Sequence, residues 1–205
     1  AHIHGGEITE GAYDDAIRHS ITKMSQLHFA STKEYRKRII QLGEQPSNVY
    51  NVGALGVENI KSVPLWTKEK LEDNLKFVFE DKTILVTYHP VTLGNMSSEV
   101  QFRNLLDVID RNKEIKVIFT KANADTDGRV INRMIDDYVE KNKDRCIAFT
   151  SLGQVRYLSA LQFCKAVVGN SSSGIIEAPS FHIPTVNIGN RQQGRIASKT
   201  VIHCG

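Results

Sequence analysis

Cysteine is nearly missing from this chain. Only Cys146, Cys164 and Cys204 occur in 205 residues, scattered and odd in number. That excludes a disulfide framework and a zinc-ligand set, and reads as buried thiols in a reducing cytoplasm. No apolar run reaches the length of a membrane span and no signal-peptide pattern is present, so no membrane partner is expected. Charge of one sign is lacking too. Lys and Arg number 26 against 23 Asp and Glu, net +3, with the signs interspersed. Such a surface does not point to nucleic acid, although it would not repel an anionic ligand. The sequence holds no internal repeat and no low-complexity segment.

What is present is an ordinary globular composition, 40% hydrophobic and 24% charged, long enough for one large domain or two small ones. Short runs rich in Val, Ile and Thr predict strands at 83–89, 116–120, 145–150, 165–168 and 185–188, with helices between them. This alternation predicts an α/β fold, a parallel sheet covered on both faces. Earlier in the chain, strands are expected at 1–4, 27–30 and 49–53. A helix is expected at 13–27, and a second one capped by Ser31 or Thr32. Ile17, Ile21, Met24 and Leu27 recur at spacings of three and four and mark the apolar face of the first helix. The stretch 54–75 holds Pro64, Trp66 and a charged helix but no clear strand. The domain junction is therefore placed there: a first domain at 1–62, a linker and helix at 63–80, and a second domain at 81–205. The chain begins and ends inside apparent strands and is read as part of a longer protein.

Chemistry concentrates in Gly169-Asn170-Ser171-Ser172-Ser173-Gly174, with Glu177 behind it. An apolar run leads in and a helix-like run leads out, giving a strand, a small-residue turn and a helix N-terminus. Such a turn offers backbone N–H groups, hydroxyls and the positive end of a helix dipole to a phosphate. Glu177 is placed to accept hydrogen bonds from a sugar diol. The plainer reading is a Ser-rich loop with an N-cap serine. In parallel sheets, ligands bind beyond the carboxyl ends of the strands. Polar residues gather at each predicted strand end: His89-Pro90-Val91-Thr92, Asn123-Ala124-Asp125, Ser151-Leu152-Gly153, Asn170-Ser171-Ser172 and Asn190-Arg191-Gln192. One cleft lined by all of these loops is expected.

Single residues admit two readings each. His89 is a phosphate donor or proton-transfer group, or a histidine that caps its own strand end. Arg191 is a bidentate fork for a diphosphate, or a solvated loop arginine. Tyr157 is a platform for a nucleobase, or core. Asn123-Ala124-Asp125-Thr126-Asp127-Gly128 imitates the start of a calcium loop, but its twelfth position is Met134, where a bidentate acid is required, so calcium is rejected. His2 and His4 with Glu7 form a metal half-site by strand alternation, with no further ligands nearby, and no metal is assigned. Glu7, Asp14 and Asp15 read as acid–base carboxylates, or as ordinary helix pairs of Asp14 with Arg18 and Asp15 with His19.

In order, the motifs are His2-Ile3-His4-Gly5-Gly6-Glu7, then Asp14-Asp15-Ala16-Ile17-Arg18-His19-Ser20-Ile21-Thr22-Lys23, then His89-Pro90-Val91-Thr92. They continue with the Gly169 to Gly174 turn and Glu177, and end with Asn190-Arg191-Gln192-Gln193-Gly194-Arg195. This ordered set resembles the hydrolysing UDP-N-acetylglucosamine 2-epimerases over essentially the whole chain. The resemblance implies a GT-B architecture of two Rossmann-like domains, the first present only in its latter part and the second mostly present, without its last helix. It implies an elimination followed by hydration. A base removes the C2 proton while UDP leaves from C1, and water then adds to the glycal with inversion at C2, giving N-acetylmannosamine and UDP for sialic-acid-type biosynthesis. The implied partners are a UDP-sugar, UDP and further copies of the chain in a homodimer or larger homo-oligomer, and no cofactor is needed.

By motif position, the resemblance assigns His89 to the active site near the diphosphate, Ser171 and Ser172 to the phosphates and Glu177 to the ribose. It assigns Arg191 to the diphosphate, Asn123 to substrate binding, Leu152 and Tyr157 to the uracil, and Asp14 to catalysis. Several relatives hold a catalytic glutamate where this chain has His4, and the step from Glu7 to Asp14 is one residue longer here. His4 and Glu7 therefore both stand as candidate catalytic groups. These departures leave open a UDP- or GDP-linked 2,4-diacetamido sugar of a legionaminic-type route. A non-hydrolysing 2-epimerase, a GT-B glycosyltransferase and a non-catalytic nucleotide-sugar sensor stay open as well. A further catalytic aspartate of this family would precede residue 1, so the piece by itself is expected to be inactive.

Overall fold

The Val- and Ile-rich runs of the second half form a six-stranded, wholly parallel sheet. A computed structural model describes residues 1–9, 13–91, 97–122 and 126–205. By contacts the chain divides into two units, 1–62 with 190–196, and 63–189 with 197–205.

The second unit holds β4 (Thr83–Thr87), β5 (Lys116–Thr120), β6 (Cys146–Phe149), β7 (Ala166–Gly169), β8 (Thr185–Ile188) and β9 (Val201–Cys204). Its helices are α4 (Lys68–Leu75), α5 (Ser98–Arg111), α6 (Thr126–Lys141), α7 (Gly153–Leu161) and the single turn α8 (Ser173–Ile176). The strands lie in the order β6-β5-β4-β7-β8-β9. The chain builds outward from β4 through β5 and β6, then returns to the other side of β4 and builds outward again. That reversal puts a crevice beyond the carboxyl ends of β4 and β7. β4 is central and buried at every position, which is why it reads as a continuous apolar run. Phe102 and Ile109 of α5, with Ile131 and Ile135 of α6, seal one face against Val86, Val117 and Phe119. The parallel, helix-flanked sheet is the Rossmann-like α/β arrangement expected from the strand and helix alternation. Within residues 63–80, α4 buries Leu71 and Leu75.

The first unit is smaller. β1 (His2–Ile3), β2 (His28–Ala30) and β3 (Val49–Asn51) pair in parallel in that order. α1 (Tyr13–Lys23), α2 (Lys33–Gln41) and α3 (Leu55–Ser62) complete it. Thr32 caps α2 by accepting from the Tyr35 N–H at 3.1 Å, and Tyr35 and Ile39 then pack on Ala30 and Val49. One sequence expectation fails at the sheet edge, and the first helix shows what its period left open. The stripe Ile17, Ile21, Met24 and Leu27 is exposed, Met24 at 86%, and α1 instead buries Thr22. A helical period shows that a face is apolar but not what covers it. Cys204, expected as a buried thiol, is exposed on β9 at the edge of the larger sheet, while Cys146 and Cys164 are buried.

The crossing of β4 and β7 depends on one glycine. Gly169 pairs with Thr87, sits at φ 137°, and a Cβ there would overlap the Thr87 carbonyl. Gly169→Ala therefore destabilises the protein by about 3 kcal/mol or more in chemical unfolding. Gly153→Ala, at φ 65° with nothing within 4 Å of the added Cβ, loses only about 1 kcal/mol. Equal losses for the two variants would show that close approach at the strand crossing does not constrain the sheet.

Candidate functional site

Beyond the strand reversal lies a cleft of about 440 Å³, bounded by the ends of β4, β5, β6 and β7. That volume falls within the usual range for small-molecule sites. Thr87 and Thr120, paired in register on β4 and β5, contribute hydroxyls bonded to each other. Leu152 and Tyr157 line it from the start of α7, Ser171 and Ser173 from the turn after β7, and Glu177 from the end of α8. Ser173 Oγ donates to the Tyr157 hydroxyl. Burial pushes the Tyr157 phenol well above its usual range, so it stays neutral and serves as a hydrogen-bonding ring edge, not an acid. The Leu152 side chain is buried, and its carbonyl accepts from Arg156 Nε at 2.6 Å, which fixes the loop before α7.

The turn after β7 is pinned by Asn170, to which the motif gave no role of its own. Asn170 is fully buried, and its side chain forms a two-bond bracket on the backbone of His89. Its Oδ1 accepts from the His89 N–H at 2.7 Å and its Nδ2 donates to the His89 carbonyl at 2.8 Å. The amide thus satisfies both backbone groups just past the end of β4 and ties the β4 and β7 ends together. The expected helix N-terminus is weaker than the sequence suggested. α8 is one turn, its Ser172 N-cap makes no side-chain cap bond, and the Ser171 hydroxyl accepts from the Ser173 N–H at 3.4 Å. A dipole sums over successive turns, so what this turn offers an anion is hydroxyls and local amides.

The first unit holds a separate cluster. Gly5 and Gly6 follow β1 closely packed, since a Cβ on Gly5 would lie 2.8 Å from His2 Nδ1 and one on Gly6 would overlap the Tyr35 carbonyl. Glu7 behind them is buried and faces His4 Nδ1 at 3.4 Å and Arg195 Nη2 at 3.4 Å. Burial alone would raise its carboxyl, but the His4 hydrogen bond and the Arg195 and Arg18 charges outweigh it and hold it below the usual range. Arg18 also donates to the Glu7 carbonyl at 3.3 Å, and Arg38 to the Gly6 carbonyl at 2.6 Å. The metal half-site does not form. His4 has φ 64°, which ends the strand alternation, and His2 Nδ1 bonds Thr22 Oγ1 at 2.9 Å. Among the described residues no cluster of three metal-ligating side chains occurs.

The structure thus gathers Leu152, Tyr157, Ser171 and Glu177 in one cleft, with Ser172 as the next residue of the same turn. It brings His4 and Glu7 into contact in the first unit. Asp14 is exposed on the first turn of α1, and Arg18 turns to Asp15 at 3.8 Å. Asn123 lies outside the described residues. Arg191 lies in the loop after β8, where residues 190–196 group with the first unit by contacts. His89 meets the site through its backbone, by way of Asn170. Thr87 and Thr120 were not named as site residues from sequence, and Ser173 and Arg195 stood in their motifs without a role. For the threonines and Ser173, the only available signal was their place at strand ends or beside the serine pair.

Known proteins resemble this chain in sequence or in fold. The GDP/UDP-N,N'-diacetylbacillosamine 2-epimerase (hydrolyzing) of Campylobacter jejuni subsp. jejuni serotype O:2 is 45% identical over 98% of this chain and 52% of its own length. A polysialic acid biosynthesis protein of Escherichia coli is 44% identical over 98% of this chain and 51% of its own. The chain spans about half the length of these curated relatives. The Methanocaldococcus jannaschii UDP-GlcNAc 2-epimerase, solved with UDP-GlcNAc and UDP, has the same fold at TM-score 0.73 and 16% identity, over 100% of this chain and 58% of that one. The family described as UDP-N-acetylglucosamine 2-epimerase matches residues 1–205, and the chain belongs to that family.

Proposed function

We propose that this chain is part of a hydrolysing nucleotide-sugar 2-epimerase. The observation that carries the reading is the cleft at the β4–β7 reversal, where Ser171, Tyr157 and Glu177 converge. In this reading Leu152 and Tyr157 receive the base, Glu177 accepts from the ribose hydroxyls, and Ser171 and Ser172 donate to the diphosphate. Arg191 and His89 serve the diphosphate, and Asn123 contributes to substrate binding. Asp14, His4 and Glu7 serve the sugar. Residues 1–62 are the latter part of one Rossmann-like domain and 81–205 most of the other, and the whole enzyme works as a homodimer or larger homo-oligomer.

The reaction removes the C2 proton of a 2-acetamido sugar while the C1–O bond breaks and its electrons leave on UDP. Water then adds at C1 of the glycal, and a proton returns to C2 on the opposite face. The free 2-epimer and UDP are the products. The leading substrate is UDP-N-acetylglucosamine, for a sialic-acid-type route. A UDP- or GDP-linked 2,4-diacetamido sugar is the second reading, favoured by the name of the C. jejuni relative.

Two outcomes test this in the full-length protein. UDP at about 100 times its Kd stabilises the fold by about 2.7 kcal/mol. That raises the melting temperature by about 3 °C for a protein of about twice this length, and Glu177→Ala weakens UDP roughly tenfold. A response to GDP alone moves the base to guanine, and no response to either nucleotide rules out the cleft as their site. Asp14→Asn lowers sugar release by about 100-fold or more while UDP affinity stays within about twofold. Unchanged turnover in that variant removes Asp14 from the chemistry.

A further inference from the structure

We propose that Arg195 is a positioning residue that acts through Glu7 to fix the orientation and tautomer of His4. The proposal rests on the functional reading above only in taking His4 and Glu7 as part of the sugar chemistry.

The argument starts from His4. Its Nε2 lies 3.3 Å from the backbone N–H of Leu55, which can only donate. Nε2 therefore carries the lone pair, and the ring proton sits on Nδ1, facing Glu7 Oε1 at 3.4 Å. A carboxylate is a pure acceptor only while ionised. An ionised Glu7 thus favours this tautomer together with the Leu55 N–H. Glu7 is buried, and a buried carboxylate left alone takes up a proton. Its second oxygen faces Arg195 Nη2 at 3.4 Å, and that guanidinium is itself 13% exposed. Arg195 is the guanidinium that faces the carboxylate oxygen directly. Arg18 is engaged with the Glu7 carbonyl and Thr9, and Arg38 with the Gly6 carbonyl.

The arginine is delivered by a defined turn. Gly194 has φ 85°, and the N–H of Ile196 donates to the Tyr35 hydroxyl at 3.0 Å. Burial raises that phenol above its usual range, so it remains a neutral acceptor. At the other end of the relay, His4 is a non-glycine residue at φ 64°, a conformation that L side chains leave unless neighbours hold them. Arg195, Glu7 and His4 therefore form one chain of contacts, with charge at its buried end and an imidazole, 28% exposed, at the other.

A merely structural ion pair would hold the loop and do no more. Full-length protein carrying Arg195→Met, Arg195→Lys or Glu7→Gln separates the two. Sugar release is followed beside nitrogen-15 NMR of the histidine rings, with His4 assigned from His4→Gln. The relay predicts that Arg195→Met lowers kcat about 100-fold with KM within about twofold, and that Arg195→Lys recovers most of it. The His4 ring then loses its pure Nδ1–H signature in Arg195→Met and in Glu7→Gln. Combining the two substitutions adds little, because both break one contact chain. Arg195→Met that only lowers the melting temperature, with kcat and the His4 signature of the wild type, overturns the proposal. If the wild-type protein releases no sugar, the functional reading falls. The imidazole signature then decides alone, and an unchanged His4 ring in Arg195→Met overturns the relay.

Discussion

The second unit depends on the backbone approach between Gly169 and Thr87. Two strands that follow each other only after a long detour, β4 and β7, lie side by side there, with no room for a side chain between them. Reversal at that point leaves a crevice, and the crevice needs its strand ends satisfied before it can present anything to a ligand. Asn170 does this by bracketing the His89 backbone with its amide. Ser171 and Ser173 then emerge from a turn whose base is already fixed, and Tyr157 is held over them by the Ser173 hydroxyl. The order of strands, one glycine and one buried amide thus account for where the cleft is and why serines stand in it.

The first unit uses a different device. Two glycines let the chain turn tightly against His2 and Tyr35, and three arginines then hold the turn from outside. Two of them bind carbonyls, and one meets the Glu7 carboxylate. Such an arrangement keeps a buried acid ionised without placing it in water. Removing one partner of a buried pair leaves a lone charge, which is far more damaging than losing an exposed pair.

The strands of both sheets, the helix capped by Thr32 and the serine turn were legible because each leaves a local signature: β-branched runs, an N-cap hydroxyl, a cluster of small residues. The two-sided burial of β4 was visible in Thr83 to Thr87 themselves. What could not be read was anything set by distant chain. Arg195 meets Glu7 across most of the sequence, and nothing local to either residue marks the pair. Ile17, Ile21 and Met24 carry a clean helical period, yet stand exposed, because the period gives a face and not its partner. Asp15, not Asp14, takes the Arg18 contact, a choice between adjacent carboxylates that spacing alone cannot make.

The proposed reaction breaks the sugar–nucleotide bond by elimination and rebuilds C2 from solvent. The most direct measurement is the product of full-length protein acting on UDP-N-acetylglucosamine, and in parallel on its 2,4-diacetamido counterpart, in deuterium oxide. The account predicts free sugar inverted at C2, one deuterium at that carbon, and one UDP released per sugar. A sugar still linked to UDP, or a free sugar with its original C2 hydrogen, would contradict it.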